Sequence, residues 1–166
     1  MRLSQTLPTA LLALFISASH AGEVIKGEVV SISDGDTLTV LDVEHVQHKI
    51  RLSGIDAPEK SQPFGQRSKQ ALAEQVFRKQ VTVEWHKQDR YHRTVGRVIT
   101  ADGADSNLRQ IELGMAWHYK QYQREQPPAE RERYNQAEET ARSQRIGLWQ
   151  DMNPEPPWEF RHKKRH

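Results

Sequence analysis

The stretch ISDGDTLTVLD, residues 32–42, places two aspartates one glycine apart, Asp34 and Asp36, ahead of alternating apolar side chains. Alternation with a period of two predicts a β-strand with one buried face. Asp and Gly favour tight turns between strands, so the aspartate pair by itself is typical of a hairpin turn. It is not a helix-loop-helix calcium loop, because His45 stands where that loop needs a glutamate. The pair could still be half of a metal site whose other half lies further along the chain.

The pattern of strands and helices around this stretch predicts the fold class. Short segments rich in β-branched residues predict strands at 23–32, 37–41, 46–53, 81–86 and 94–100. Helical patterns cover residues 65–80, 106–114 and 127–147. We therefore expect an α+β protein that is mainly β-barrel: a five-stranded, partly closed antiparallel OB-type barrel with three helices. Barrels of this type bind nucleic acid or saccharide on one face.

The two ends of the chain differ from this central domain. Residues 1–21 combine a positive start, a short apolar stretch and small residues before Gly22, which predicts a cleaved export signal. An uncleaved anchor or a buried helix is the alternative. We expect a secreted or periplasmic protein without membrane attachment after cleavage. Residues 22–150 form one domain, and residues 151–166 are expected to be a mobile basic tail.

Composition limits the chemistry that the chain can perform. It contains no cysteine, which excludes disulfides and thiol catalysis. The formal net charge of +2 is a weak indication of a polyanionic partner, so the positions of the basic residues matter more. We see no sign of an obligate protein partner and expect a monomer.

The segment RLSGIDAPE, residues 51–59, is a candidate for the second half of the acidic site. Pro58 restricts Ala57 to extended conformations, so Asp56 and Glu59 flank a tight turn just after a strand. Together with Asp36 these carboxylates would make an oxygen site suited to a hard divalent cation such as calcium. The alternative is that both acids cap the turn and face water.

Arginines occur within the second acidic segment and in a later turn. Arg51 precedes Asp56 by five residues, and the turn DRYHR contains Arg90, Tyr91 and Arg93. Such a turn is commonly a solvated loop, yet guanidinium groups beside an aromatic ring also suit phosphates and bases. Arginines beside a carboxylate-held cation are what phosphodiester hydrolysis requires, because negative charge builds up on the phosphoryl oxygens.

Four motifs, SDGDT, RLSGIDAPE, DRYHR and IGLW, occur in the order and spacing of the staphylococcal nuclease (thermonuclease) family. The chain resembles that family, as a secreted bacterial member, from about Glu23 to Trp149. The resemblance implies a five-stranded OB-type barrel with three helices. It also implies a calcium-dependent endonuclease that hydrolyses phosphodiester bonds of DNA and RNA and leaves 3′-phosphate ends.

The resemblance also implies roles for individual residues. Asp36, Asp56 and the main-chain carbonyl of Ala57 match calcium ligands, and Asp34 matches an acid that lies behind them. Glu59 matches the glutamate that orients or deprotonates the attacking water. Two arginines and two neighbours match residues that contact the substrate: Arg51 and Arg93 on the phosphate, and Tyr91 and Arg90 near the bound nucleotide.

The chain departs from the family pattern at two places. His92 stands where the family has glycine before the second arginine, so a turn with positive φ would shift the geometry of Arg93. The segment 59–64 is shorter than the family's lysine-rich loop. Two other classes remain as alternatives: a non-catalytic nucleic-acid-binding OB-type module, and a saccharide-binding barrel, which would leave the two arginines without a reason.

Overall fold

A five-stranded barrel forms the body of the protein in a computed structural model that describes residues 23–163. The predicted export signal, residues 1–21, lies outside the described residues. The strands are β1 (Glu23–Ile32), β2 (Thr37–Asp42), β3 (Gln47–Leu52), β4 (Ile55–Asp56), β5 (Gln80–Gln88), β6 (Thr94–Thr100) and β7 (Trp117–His118). The barrel closes in the order β1-β2-β3-β6-β5, and β4 pairs with β7 in a separate two-stranded sheet. The predicted OB-type α+β fold is confirmed.

One barrel pairing differs from the prediction of an antiparallel barrel. β3 and β6 run parallel, with Ile50 opposite Thr94 and Leu52 opposite Gly96. Parallel neighbours need a long crossover, and the chain between β3 and β6 supplies one that contains a helix and β5. The other four pairings are antiparallel. Bulges in β1 and β5 interrupt the register, which helps strands to bend around a closed barrel.

The barrel interior follows the alternation of the strand sequences. Every second residue of a strand faces the same side, so the β-branched and leucine side chains of these strands meet inside. The fully buried strand residues are Val29, Leu38, Val40, Ile50, Leu52, Val83 and Val98. Gly27 lies where β1 approaches β2 so closely that a Cβ atom would be 2.1 Å from the carbonyl oxygen of Leu41.

Helices cover one end of the barrel. They are α1 (Gly65–Val76), α2 (Ser106–Glu112) and α3 (Pro128–Ser143), and all three end earlier than the sequence patterns indicated. Leu72 and Val76 of α1, Ile111 of α2 and Tyr134 of α3 are fully buried against the barrel core. Short 3₁₀ segments lie at Lys120–Glu125 and Gly147–Gln150. No helix among residues 23–163 is long and apolar enough to cross a membrane.

A fourth helix, α4 (Pro157–Lys163), lies in the segment that was predicted to be an irregular tail. The described residues thus contain one helix more than the three expected, and it lies after residue 150. Seven residues are too few to show a helical period in the sequence. Trp158 holds the helix by packing edge-on against Trp117 at 5.5 Å between ring centroids and stacking on Tyr119 at 5.4 Å.

Asn107 attaches α2 to the barrel through its buried amide. Its Oδ1 accepts a hydrogen bond from the Val98 N–H at 3.1 Å, and its Nδ2 donates to the carbonyl oxygens of Ser53 at 3.0 Å and Gly96 at 3.2 Å. Asn107 is fully buried. These bonds fix the end of β3 and the middle of β6 beside the helix.

Replacement of Asn107 by Ala is expected to lower the free energy of unfolding by about 2–4 kcal/mol, because it leaves a buried donor and buried acceptors without hydrogen-bond partners. Urea unfolding followed by circular dichroism measures this change. Gln136→Ala, an exposed amide on α3, is the matched control and should change stability by less than about 0.5 kcal/mol. Equal effects of the two substitutions would show that the amide of Asn107 does not anchor α2.

Candidate active site

Two buried carboxylates from separate turns meet at the mouth of the barrel. Asp36 ends the acidic turn at the start of β2, and Asp56 lies in the short strand β4. They are 6% and 1% exposed. The Ala57 N–H donates to Asp36 Oδ2 at 2.6 Å, which ties the second turn to the first. Asp34 lies behind them and accepts a hydrogen bond from the Asp36 N–H at 3.1 Å.

Packing of α1 and α2 fixes the acidic turn. A Cβ atom on Gly35 would lie 1.8 Å from the hydroxyl oxygen of Ser68, so the turn can approach α1 this closely only with glycine. The Gln110 side chain donates to the Gly35 carbonyl oxygen at 2.7 Å and to the Ser68 carbonyl oxygen at 3.1 Å. The position of Asp36 therefore depends on two helices that lie far along the chain.

Arg51 lies between the two carboxylates. Its Nη1 is 2.8 Å from Asp36 Oδ2, and its Nη2 donates to Asp56 Oδ1 at 2.9 Å. The side chain is only 14% exposed, so Arg51 is enclosed by the site and not solvated on the barrel surface. One planar guanidinium that contacts both acids shows that they face one small volume.

Burial has the largest effect on the pKa values of Asp36 and Arg51. It raises the pKa of Asp36 to about 8, because the charge of Arg51 offsets only part of the cost of desolvating a carboxylate. Burial alone lowers the pKa of Arg51, but the charges of Asp36 and Asp56 outweigh that effect and raise it above its ordinary value. Additional positive charge beside Asp36 and Asp56 would therefore be stabilised.

The donors present suit a hard divalent cation. Asp36 and Asp56 offer carboxylate oxygens, and the backbone at Ala57 lies beside both. Calcium accepts irregular sets of carboxylate, carbonyl and water oxygens. Within residues 23–163, no group of three or more His, Cys, Asp or Glu side chains is placed to hold a metal ion, so the remaining ligands would come from main chain and water.

Glu59 lies at the rim of the same cavity. Its side chain is 38% exposed, and its backbone N–H donates to Gln62 Oε1 at 3.0 Å in the turn before α1. Its carboxylate is therefore open to water, unlike that of Asp56. Glu59 Oε1 also accepts a hydrogen bond from Arg161 Nη1 at 2.8 Å. Sequence analysis missed Arg161, because no local pattern links a basic tail to an acid 102 residues earlier.

The turn DRYHR, residues 89–93, lies between β5 and β6 and adopts the backbone conformation that a glycine would favour. His92 has φ of 59°, in the left-handed region, so the turn keeps positive φ despite the missing glycine. Asp89 stabilises the turn by accepting from the N–H groups of Tyr91 at 2.9 Å and Arg93 at 3.0 Å. Its Oδ2 also accepts from Arg93 Nε at 2.7 Å.

Asp89 therefore holds the guanidinium of Arg93 in the cavity. Arg93 Nη1 lies 3.5 Å from the Thr37 hydroxyl oxygen, next to Asp36 in the chain. Partial burial raises the pKa of Asp89, but the hydrogen bonds from Arg93 and Tyr91 outweigh it, and the pKa falls below its ordinary value. Asp89 consequently remains charged and paired with Arg93 at neutral pH.

All of the predicted site residues line a single cleft of about 1060 Å³. They are Asp34, Asp36, Arg51, Asp56, Ala57, Glu59, Arg90, Tyr91 and Arg93. The guanidinium of Arg90 lies over the Tyr91 ring at 4.8 Å from its centroid, and that of Arg93 at 5.5 Å. Tyr119 and Tyr122 also line the cleft and were missed; the aromatic spacing in HYKQYQ was their only sequence signal.

His118, Trp117 and Trp149 are buried and do not line the cleft. His118 is buried and its ring nitrogens are 2.9 Å from Asn135 Oδ1 and 2.7 Å from Gln126 Oε1. Trp117 and Trp149 are buried with ring centroids 4.3 Å apart.

Comparison with known proteins shows the family to which the chain belongs. Residues 49–151 match the family model described as staphylococcal nuclease homologue. A Haemophilus influenzae protein named "Uncharacterized endonuclease" is 42% identical over 160 residues, which are 96% of this chain and 86% of that protein. A Shigella flexneri protein named "Micrococcal nuclease" is 42% identical over 144 residues, 82% of this chain and 80% of that protein. The chain belongs to the staphylococcal nuclease family.

This membership decides between the classes left open by the sequence. The chain is a nuclease, a hydrolase with nucleic acid as its substrate, and not a non-catalytic binding module or a saccharide-binding barrel.

Asp89→Ala removes three hydrogen bonds that fix the turn DRYHR, so Arg93 should lose its position in the cleft. We expect kcat/KM for DNA cleavage to fall by roughly 10- to 100-fold, as for other losses of a group that orients an active-site residue. Steady-state cleavage of a labelled oligonucleotide measures it.

Asp102→Ala is the matched control for this substitution. Asp102 also stabilises an exposed turn, accepting from the Thr100 hydroxyl and the Ala104 N–H, but it lies outside the cleft. The kcat/KM of the Asp102→Ala variant for DNA cleavage should stay within about twofold of the wild type. Wild-type cleavage by the Asp89 variant would contradict the anchoring role.

Proposed function

We propose that the protein is a calcium-dependent endonuclease that hydrolyses DNA and RNA and leaves 3′-phosphate ends. One observation carries the proposal: two buried carboxylates converge on one guanidinium, beside a solvent-accessible glutamate and a second arginine, in a single cleft. That combination serves phosphoryl transfer, because positive groups surround the place where negative charge develops.

Asp36, Asp56 and the Ala57 carbonyl would hold the cation. Calcium bound there would polarise a phosphoryl oxygen and offset the charge of the transition state. The two carboxylates are buried and paired with Arg51, so they are already fixed in position before a cation arrives. Asp34 supports them through its hydrogen bond to the Asp36 N–H.

Arg51 and Arg93 would bind the phosphate of the scissile bond. Each offers planar paired donors, and each is held by a carboxylate: Arg51 by Asp36 and Asp56, Arg93 by Asp89. Guanidinium groups fixed in this way stabilise the phosphoryl oxygens without reorganising during the reaction. Arg90 and the Tyr91 ring, at the rim of the cleft, would contact the neighbouring nucleotide.

Glu59 would accept a proton from the attacking water. Its partly exposed carboxylate can reach solvent and lies beside the buried acids. The water oxygen bonds to phosphorus, the bond from phosphorus to the 5′ oxygen breaks, and that oxygen takes a proton. The products are then a 5′-hydroxyl and a 3′-phosphate.

Incubation of the purified protein with end-labelled DNA and RNA tests the cation and the products. We expect cleavage in calcium, its loss with a chelator, and its return when calcium is restored. The 3′ ends should resist extension by a polymerase until a phosphatase removes the phosphate. Cleavage that persists in chelator would contradict calcium dependence, and ends that extend without phosphatase would contradict the proposed bond.

Substitutions separate the roles of the carboxylates. Glu59→Gln should bind calcium no more weakly than the wild type but lower single-turnover cleavage by at least roughly 100-fold, the usual cost of losing acid–base help. Asp36→Asn should weaken calcium binding itself. Calorimetric calcium titration beside single-turnover kinetics measures both effects. Equal loss of calcium affinity in the two variants would show that the assigned division of roles is wrong.

Arg51→Lys keeps the positive charge but removes the planar pair of donors. It should reduce turnover far more than Arg133→Lys, an exposed position on α3 that serves as control.

A further inference from the structure

The C-terminal segment, residues 155–163, lies against the active site, and we name it the C-terminal latch. It contains α4 and is attached at several points. Gln62 Nε2, in the turn between Glu59 and α1, donates to the Glu155 carbonyl oxygen at 2.6 Å. The Trp158 ring stacks on Tyr119 with an interplanar angle of 19°, and Tyr119 lines the cleft. The latch therefore has a defined position beside the catalytic groups.

Arg161 of the latch occupies the carboxylates of the site. Its Nη2 donates to Asp56 Oδ2 at 2.7 Å and its Nη1 to Asp56 Oδ1 at 3.2 Å. Nη1 also donates to Glu59 Oε1 at 2.8 Å. Since Asp56 Oδ1 already accepts from Arg51, both oxygens of this buried carboxylate are paired with guanidinium groups. Partial burial alone lowers the pKa of Arg161, but the hydrogen bonds to Asp56 and Glu59 outweigh it and raise the pKa.

Asp56 Oδ1 is shared with Arg51 in any case, so Arg161 and a divalent cation exclude each other at Oδ2, because both are positive and both need its lone pairs. Glu59, while it is paired with Arg161, is also less available to accept a proton from water. The arrangement with Arg161 docked is therefore unsuited to the proposed reaction. We propose that the C-terminal latch is autoinhibitory: Arg161 competes with the divalent cation for Asp56 and also pairs with Glu59, and binding of the cation releases α4. This inference rests on the proposed calcium-dependent function.

The latch has the features of a reversible contact. Arg161 is 34% exposed, so solvent weakens its ion pairs relative to fully buried ones. α4 has only seven residues, far fewer than an isolated helix needs to be stable in water. Once Arg161 and Trp158 leave their partners, the helix should lose its structure, and the entropy of the freed segment favours release.

The charge of the latch suits displacement during catalysis. Its last turn carries Arg161, His162 and Lys163. Arg161 lines the cleft, so the released segment can remain near a polyanionic substrate through its charge.

Arg161→Gln tests the competition without substrate. Calorimetric titration with calcium alone should show affinity about fivefold or more higher than in the wild type, because the competing cation of the protein is gone. Lys163→Gln is the matched control: it removes the same charge from the same helix, but Lys163 pairs with Glu155, away from Asp56. Its calcium affinity should stay within about twofold of the wild type.

Hydrogen exchange gives a second, independent readout of release. In the wild type, amides of residues 158–163 should exchange faster after calcium is added, while the barrel strands stay protected. In Arg161→Gln these amides should already exchange quickly without calcium. Trp158→Ala, which removes the aromatic anchor instead of the charge, should also raise calcium affinity.

Cleavage rates decide between inhibition and assistance. Arg161→Gln should cleave DNA faster than the wild type at limiting calcium and equally fast at saturating calcium. A lower rate at every calcium concentration would overturn the latch and identify Arg161 as a substrate ligand. Unchanged calcium affinity in both Arg161→Gln and Trp158→Ala, in an enzyme that still cleaves with calcium, would overturn the latch alone. Absence of calcium binding and of calcium-dependent cleavage in every variant would overturn the proposed function as well.

Discussion

Burial of two carboxylates around one guanidinium is the constraint on which the site depends. Asp36 and Asp56 are almost inaccessible to water, and an unpaired buried charge is strongly destabilising. Arg51 satisfies both at once, at 2.8 and 2.9 Å. It can do so because β3 lies in the wall of the barrel, with Arg51 opposite Thr37 of β2 and Val95 of β6. The strand β3, which forms part of the barrel wall, therefore also supplies the charge that stabilises the two buried carboxylates.

The scaffold fixes these charges through contacts that are distant in sequence. Gln110 of α2 binds the backbone of the acidic turn, and pairing of β4 with β7 places Asp56 opposite Trp117. Asn107 joins α2 to the end of β3, just after Arg51. Catalytic geometry in this protein consequently depends on the same helix packing that stabilises the barrel, and substitutions in α2 should affect both.

The balance of charge at the cleft suggests how the enzyme is controlled. Arginines bind a polyanion, yet an arginine that reaches Asp36 or Asp56 also occupies oxygens that a cation would use. Arg93 is held apart from these carboxylates by Asp89, Arg51 is built into their pairing, and Arg161 arrives from a short helix with little stability of its own. Of the three, Arg161 is the one that a cation can displace at small cost.

The sequence by itself determined the elements and most of the site. Alternating β-branched residues located the barrel strands, because a period of two depends on the strand alone. The motifs around Asp36, Asp56 and Arg93, through their resemblance to a nuclease family, indicated side chains that the structure places in one cleft. Tertiary structure alone decided the parallel pairing of β3 with β6, the two-residue strands β4 and β7, and the docking of Arg161. None of these three features produces a periodic pattern in the sequence. Each depends on contacts between segments that only the folded chain brings together, and the burial of Asp56 that makes its pairing with Arg161 favourable exists only in that folded state.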